Sequence, residues 1–292
     1  MGINPVELSL RGILPAEAEF AAWEKAAAKQ AASYPPSATA DVIQAFARLG
    51  REPSFPMREA LNRNIIENAG RFTPAELCAC LYAATVLGAL YDGQAFGGAI
   101  EAIRKPLATV SIKHLRMEDL QRVYLSEQFA DDSFFPGKFT DYRVAFLEEA
   151  RKQPNTVSHT ERTIVSEVLN SREARQWKRS GIVVKPEHFV GALASRVDGA
   201  FLHRGAEDAP PLAVLQVDGP QHFVTQREGD TALNGYSQFQ NALLAKKGIP
   251  VTRYALDIKN YGATDSRQLV ASIDSTLAPF KSASQDPSGP TR

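Results

Sequence analysis

Apolar residues recur at spacings of three and four from Pro15 to about Pro154. This period predicts helices over Glu17–Ala32, Ala38–Leu49, Met57–Gly70, Pro74–Leu90, Phe96–Lys105, Met117–Phe129 and Phe139–Lys152. Several ends are marked. Ser37 and Thr73 stand where N-caps belong, Pro74 takes a first helical position, and Glu76 follows Thr73 by three as a capping box requires. Gly50, Gly70 and Gly88 stand where helix ends favour left-handed backbone angles. Beyond Pro154 the texture changes. Thr156 or Ser158 can cap a helix over His159–Ser171, a polar, basic stretch Arg172–Lys178 follows, and short β-type runs appear at Gly181–Val184, Gly191–Leu202 and Leu212–Val217. A helix over Gly235–Lys247, a strand over Pro250–Tyr254 and an amphipathic helix over Arg267–Phe280 complete the pattern. The expected architecture is α+β: a helical domain at 13–153, an α/β domain with a small central sheet at 156–281, and a disordered tail at 282–292.

The helical part repeats itself. Tyr34-Pro35-Pro36 followed by Val42, Ala45, Leu49 and Gly50 matches Phe72-Thr73-Pro74 followed by Cys80, Ala83, Leu87 and Gly88 at a constant offset of 38 residues. A degraded third copy begins at Leu115-Arg116-Met117, 43 residues after Phe72. Helical hairpins repeated at such a period stack into a short α-solenoid, and a generic bundle holding two similar hairpins remains the alternative. The stretch resembles the octotricopeptide repeat of organellar and some bacterial RNA-binding proteins, carried here by Phe72-Thr73-Pro74-Ala75-Glu76-Leu77 and Leu81-Tyr82-Ala83-Ala84-Thr85-Val86-Leu87-Gly88. That resemblance implies RNA reading by longer arrays. Two or three copies would read very little, which leaves a scaffold or a protein-binding surface as the alternative role.

Composition adds limits. A chain of 292 residues, 44% hydrophobic and 23% charged, is in the globular range and long enough for two modest domains. Its formal net charge is zero, so a nucleic-acid surface must be local. Residues 1–150 hold 15 lysines and arginines against 19 acids, whereas 151–292 hold 18 against 14, which makes the second half the RNA-facing candidate. The only cysteines, Cys78 and Cys80, lie at i and i+2 of one helix and read as buried apolar residues rather than a bridge or a metal clamp. No stretch approaches the roughly 18 apolar residues of a membrane span, and Met1–Gly12 lacks a secretory pattern. The expected setting is soluble and intracellular, with delivery into an organelle or host cell left open.

Helix, strand, hairpin turn, strand, helix, strand is an order that places Asp198 and Asp218 on adjacent strands, with Glu161 or Glu167 on the preceding helix. Carboxylates on neighbouring strands can hold a divalent cation that polarises a phosphate and activates water. Asp before Gly is also a turn signature, at Asp198-Gly199 and Asp218-Gly219, and spacing alone leaves both readings open. The run Leu212-Ala213-Val214-Leu215-Gln216-Val217-Asp218-Gly219-Pro220-Gln221-His222-Phe223 resembles the signature of the RAP domain, an RNA-associated module with a restriction-endonuclease-like fold. Val197-Asp198-Gly199-Ala200, Ser158-His159-Thr160-Glu161-Arg162 and Leu243–Val251 extend the likeness to about 100 residues.

The resemblance implies Asp198, Asp218 and His222 as polar site members, with Glu161 as a further carboxylate and Gly219 and Pro220 shaping the turn. Asp198 and Asp218 would hold Mg²⁺ or Mn²⁺ if the site cleaves RNA. Gln216 departs from the family, because related nucleases usually carry Glu there and a neutral amide is a poor ligand for a hard cation. Arg172, Arg175, Lys178 and Arg179, with Lys246, Lys247 and Arg253 later, can neutralise phosphates, while Trp177, Phe223 and Tyr236 can stack on bases or simply pack in the core. The expected function is binding of single-stranded RNA in RNA processing or turnover, either as a metal-dependent endoribonuclease or by binding alone. The rival is a protein-interaction scaffold whose nuclease-like domain is vestigial.

Overall fold

The computed structural model describes residues 4–91, 93, 95–131, 140–153, 158–206, 208–226, 231–256 and 266–282. Its helices are α1 (Pro5–Leu10), α2 (Glu17–Ala31), α3 (Pro36–Leu49), α4 (Phe55–Asn68), α5 (Pro74–Leu90), α6 (Gly97–Leu107), α7 (Met117–Ala130), α8 (Thr140–Lys152), α9 (His159–Asn170), α10 (Arg172–Arg179), α11 (Gly235–Lys246) and α12 (Ser266–Ser282). The strands are β1 (Ile13–Leu14), β2 (Ile182–Val190), β3 (Ser195–His203), β4 (Ala213–Asp218), β5 (Phe223–Gln226), β6 (Thr231–Leu233) and β7 (Val251–Ala255). The α+β class is as expected. Contacts gather residues 1–148 with 221–243 into one compact unit, and 149–220 with 244–292 into another.

In the first unit the helices pack chiefly on their next-but-one neighbours: α1 on α3, α2 on α4, α3 on α5, α4 on α6 and α5 on α7. The starts of α2 and α4, and of α3 and α5, are both 38 residues apart, which is the sequence period. At the centre is α5, where every residue from Leu77 to Leu87 is buried, as befits a helix apolar on all sides. Cys78 and Cys80 thus both lie inside although they face different ways, and burial pushes the Cys78 thiol up to about 12. The Thr73–Glu76 capping box forms as the sequence predicts, with Thr73 Oγ1 accepting from Glu76 N and Glu76 Oε2 from Thr73 N. Gly50 ends α3 at φ 61°, but Gly70 lies in a 3₁₀ turn and Gly88 inside α5. Ser37 caps nothing: α3 begins one residue earlier, at Pro36, whose missing N–H is no loss in a first turn.

Residues 221–243, expected in the C-terminal domain, belong to this first unit. Strand β5 takes β6 as its antiparallel neighbour and β1 as its parallel one, Ile13 opposite Thr225, in a three-stranded sheet. Helix α11 is held by aromatic contacts, Tyr236 and Phe239 lying 5.3 and 5.5 Å from Tyr82 and Phe239 5.4 Å from Phe129. Its first residue, Gly235, meets the end of α3 so closely that a Cβ there would fall 1.8 Å from the Ala47 carbonyl oxygen.

The second unit carries a four-stranded sheet of order β2-β3-β4-β7, antiparallel except for the parallel pair β4–β7. Ala213, Leu215 and Val217, at alternate positions of β4, enter one core with Ile164 and Val168 of α9, Trp177 of α10 and Leu269 and Ile273 of α12. Where the sequence predicts only a basic stretch, α10 is a helix capped by Ser171, whose Oγ accepts from Ala174 N at 3.0 Å. Its anchor is Trp177, fully buried, packed edge-on to Phe201 and donating from Nε1 to Asp274 at 2.7 Å. Strand β2 runs on past Val184 to Val190, crossing Pro186 and Glu187, and Gly191–Leu193 forms a 3₁₀ turn rather than a strand start. Helix α12 extends to Ser282, and the rest of the expected tail lies outside the described residues.

Candidate functional site

Asp198 lies in β3 and Asp218 ends β4, the adjacent strands expected, and Glu161 lies in the first turn of α9. The β3–β4 ladder runs from Phe201↔Ala213 to Gly199↔Leu215 and there gives way to a side chain: Asp198 Oδ2 accepts from Val217 N at 2.7 Å. The carboxylate thereby satisfies an amide that would otherwise require a strand carbonyl. Burial pushes the Asp198 carboxyl up to about 6; the Val217 N–H opposes that rise, and the charges of Glu161 and Asp218 add to it.

Asp218 is engaged differently. Parallel pairing sets Gln216 opposite Arg253 and Asp218 opposite Ala255, and the Arg253 guanidinium contacts Asp218, Nη1 to Oδ1, at 2.5 Å. Only 9% and 2% of the two side chains are exposed. Arg253, expected among the phosphate-binding cations, is instead the internal partner of a carboxylate. Gln216, opposite Arg253, has its Oε1 buried with no hydrogen-bond partner among the described residues.

Three engaged carboxylates make a poor cation site. Asp218 Oδ1 already faces a guanidinium, Asp198 Oδ2 a backbone N–H, and Glu161 Oε2 accepts from Ser158 N in the capping box that opens α9. Among the described residues, no group of three His, Cys, Asp or Glu side chains is placed to hold a metal. As they stand, these carboxylates do not converge into a formed Mg²⁺ or Mn²⁺ site among the described residues.

The remaining candidates scatter. His222 and Phe223 belong to the first unit: His222 Nδ1 lies 3.2 Å from Ser237 Oγ, and Phe223 is 4% exposed and opposite Leu233, so its ring packs in a core rather than standing free for a base. Trp177 is fully buried, and Tyr236 is half-buried with its ring against Tyr82. Gly219 is buried beside Asp218. Arg172, Arg175, Lys178 and Arg179 are all exposed on α10, and Lys246 is exposed at the end of α11.

Two features near Asp198 have no counterpart in the sequence reading. Glu187, flanked by the pairs Pro186↔Gly199 and His188↔Val197, sits at φ 48°, a left-handed conformation rare for a side-chain-bearing residue in a strand. Arg196 holds it there, donating from Nη1 to the Glu187 carbonyl and from Nη2 to the Arg151 carbonyl, each at 2.8 Å. The proline at 186 marks an irregular strand in sequence, but nothing local identifies its neighbour as the strained residue. No protein-family model matches the chain, and no curated protein matches it.

Proposed function

We propose that the second unit binds single-stranded RNA through the exposed face of α10 and does so without a metal. The observation that carries this reading is the set of cations on that helix. Arg172, Arg175 and Arg179 follow at i, i+3 and i+7 and share one face, with Lys178 beside them. All four side chains are exposed, and none makes an ion pair or side-chain hydrogen bond among the described residues. Buried Trp177 fixes the helix from beneath, so the charges project from a rigid support. The units carry opposite net charge, with 17 lysines and arginines against 13 acids in the second and 16 against 20 in the first. In this reading the first unit is a short α-solenoid that supplies shape or partner selectivity.

The test is salt-titrated binding of a labelled uridine oligomer to wild type and to the triple variant Arg175→Ala, Lys178→Ala, Arg179→Ala. Each lost phosphate contact should flatten the plot of log affinity against log salt by about 0.7, so the triple variant should lose about two units of slope. Unchanged affinity and slope would remove the α10 surface from consideration and leave the scaffold reading ahead.

The endoribonuclease reading keeps one observation in its favour, the proximity of Asp198 and Asp218 on neighbouring strands. It requires Arg253 to leave Asp218. Mn²⁺-stimulated cleavage by wild type, absent in Asp198→Asn, would establish it over binding alone.

A further inference from the structure

Between α9 and the β2–β3 hairpin the second unit holds a half-open cavity of about 240 Å³. It is smaller than the ~300–1,000 Å³ pockets that enclose drug-sized ligands, so its scale is that of a single flat heterocycle. Val165, Leu169 and Pro186 supply apolar wall, and Arg162, Glu187 and Asp198 supply charge.

These polar groups are unlike in what they can offer. Glu187 makes no side-chain hydrogen bond or ion pair among the described residues. Asp198 uses Oδ2 on Val217 N, which leaves Oδ1 outside that bond. Arg162 is exposed and likewise makes no ion pair among the described residues. The pocket thus combines two carboxylates that accept with one guanidinium that donates. Backbone strain marks the same spot, because Glu187 is left-handed with its carbonyl accepting from Arg196, and such strain persists only where the surroundings over-determine it.

We propose that this cavity receives one unpaired guanine base, its Watson–Crick edge turned to Glu187 and Asp198 and its O6 to Arg162, with Leu169 and Pro186 against the ring faces. The choice of base follows from donor patterns. Guanine alone presents two adjacent donors, N1–H and N2–H, beside an acceptor. Adenine and cytosine each set an acceptor nitrogen next to their amino group, and uracil flanks its single N–H with two carbonyls, so each would turn a lone pair toward a carboxylate. Unpaired bases are read in this way, on their edges and faces, by proteins that bind single strands. The inference deepens the RNA reading and rests on it for the base's source, but the pocket can be tried with nucleosides alone.

Guanosine, adenosine, cytidine and uridine would be titrated in turn into the full-length protein, with binding followed by saturation-transfer NMR and calorimetry. A bidentate edge contact should favour guanosine over each of the others by about tenfold or more. Glu187→Gln should reduce that preference, as should Leu169→Ala, which lies at the exposed wall and leaves the core intact. Equal affinity for all four nucleosides, or no affinity for any, would overturn the proposal. The same protein would be given an all-uridine oligomer and one carrying a single guanosine. If both oligomers bind alike, the pocket fails while the RNA reading stands; if guanosine binds and neither oligomer does, the pocket stands and the RNA reading fails.

Discussion

At the scale of single residues, Arg253 and Asp218 decide how the sheet of the second unit must be perturbed. Removing one member of a buried ion pair strands the other's charge, so Arg253→Ala should cost about 3–5 kcal/mol in urea unfolding. The double change Arg253→Met, Asp218→Leu should cost much less, and equal losses in the two proteins would show that the pair is not internal. Asp218→Ala is consequently an ambiguous probe of catalysis, and Asp198→Asn is cleaner because its amide oxygen can still accept from Val217 N. That variant also yields a pH prediction. The Asp198 carboxyl keeps its proton up to about pH 6 in the folded chain but only to 3.8 at its ordinary value, so between these the folded state holds more protons and stability falls as pH rises. Asn has no such penalty: Asp198→Asn should match wild type near pH 4 and exceed it by about 2 kcal/mol at pH 8. Urea midpoints that track one another across this range would show that Asp198 is ordinarily solvated.

At the scale of elements, the sequence was most readable where a period or a cap controls the outcome. The run of buried positions in α5, the Thr73–Glu76 box and the left-handed Gly50 each follow from neighbours within a few residues. Asp198 and Asp218 lie on the adjacent strands expected and Glu161 on the helix before them, although spacing alone leaves a turn reading of both Asp-Gly pairs open. What pattern could not show is which groups would already be engaged, since the Arg253 contact spans 35 positions and the Asp198–Val217 bond 19. Helix α1 is too short to show a period, although its start is marked, with Asn4 accepting from Glu7 N and Pro5 in the first turn. The junction of α3 with α11 was invisible for the same reason of distance, and it carries its own prediction. Gly235→Ala drives a Cβ into the Ala47 carbonyl and should lower stability by at least about 2 kcal/mol. Gly97→Ala, in α6 with nothing within 4 Å of the added carbon, should be neutral or raise stability by up to about 1 kcal/mol. Thermal midpoints of the two variants moving together would mean that the glycine contact is not close in solution.

At the scale of the whole molecule, the chain is not divided where its composition shifts. A cut near residue 155 follows the change from helical to mixed texture, yet the first unit needs residues 221–243 to supply β5, β6 and most of α11. Fragments 1–153 and 156–292 made separately should therefore show reduced helix by circular dichroism and broad, uncooperative melts, and mixing them should restore a sharp transition. Two independently cooperative fragments would refute the interleaved arrangement. The two polarities of charge also follow this division, the cations of α10 falling in the unit with a surplus of basic residues.

The pairing of Ile13 with Thr225 has a consequence for the order of events during synthesis. That strand must wait for a neighbour more than two hundred residues later in the chain, and at ribosomal rates of roughly 5–20 residues per second the delay is about 10–40 s. Throughout it, the helices of the first unit stand without the segment that completes the sheet and packs on Tyr82, so this is the interval in which they leave most apolar surface uncovered.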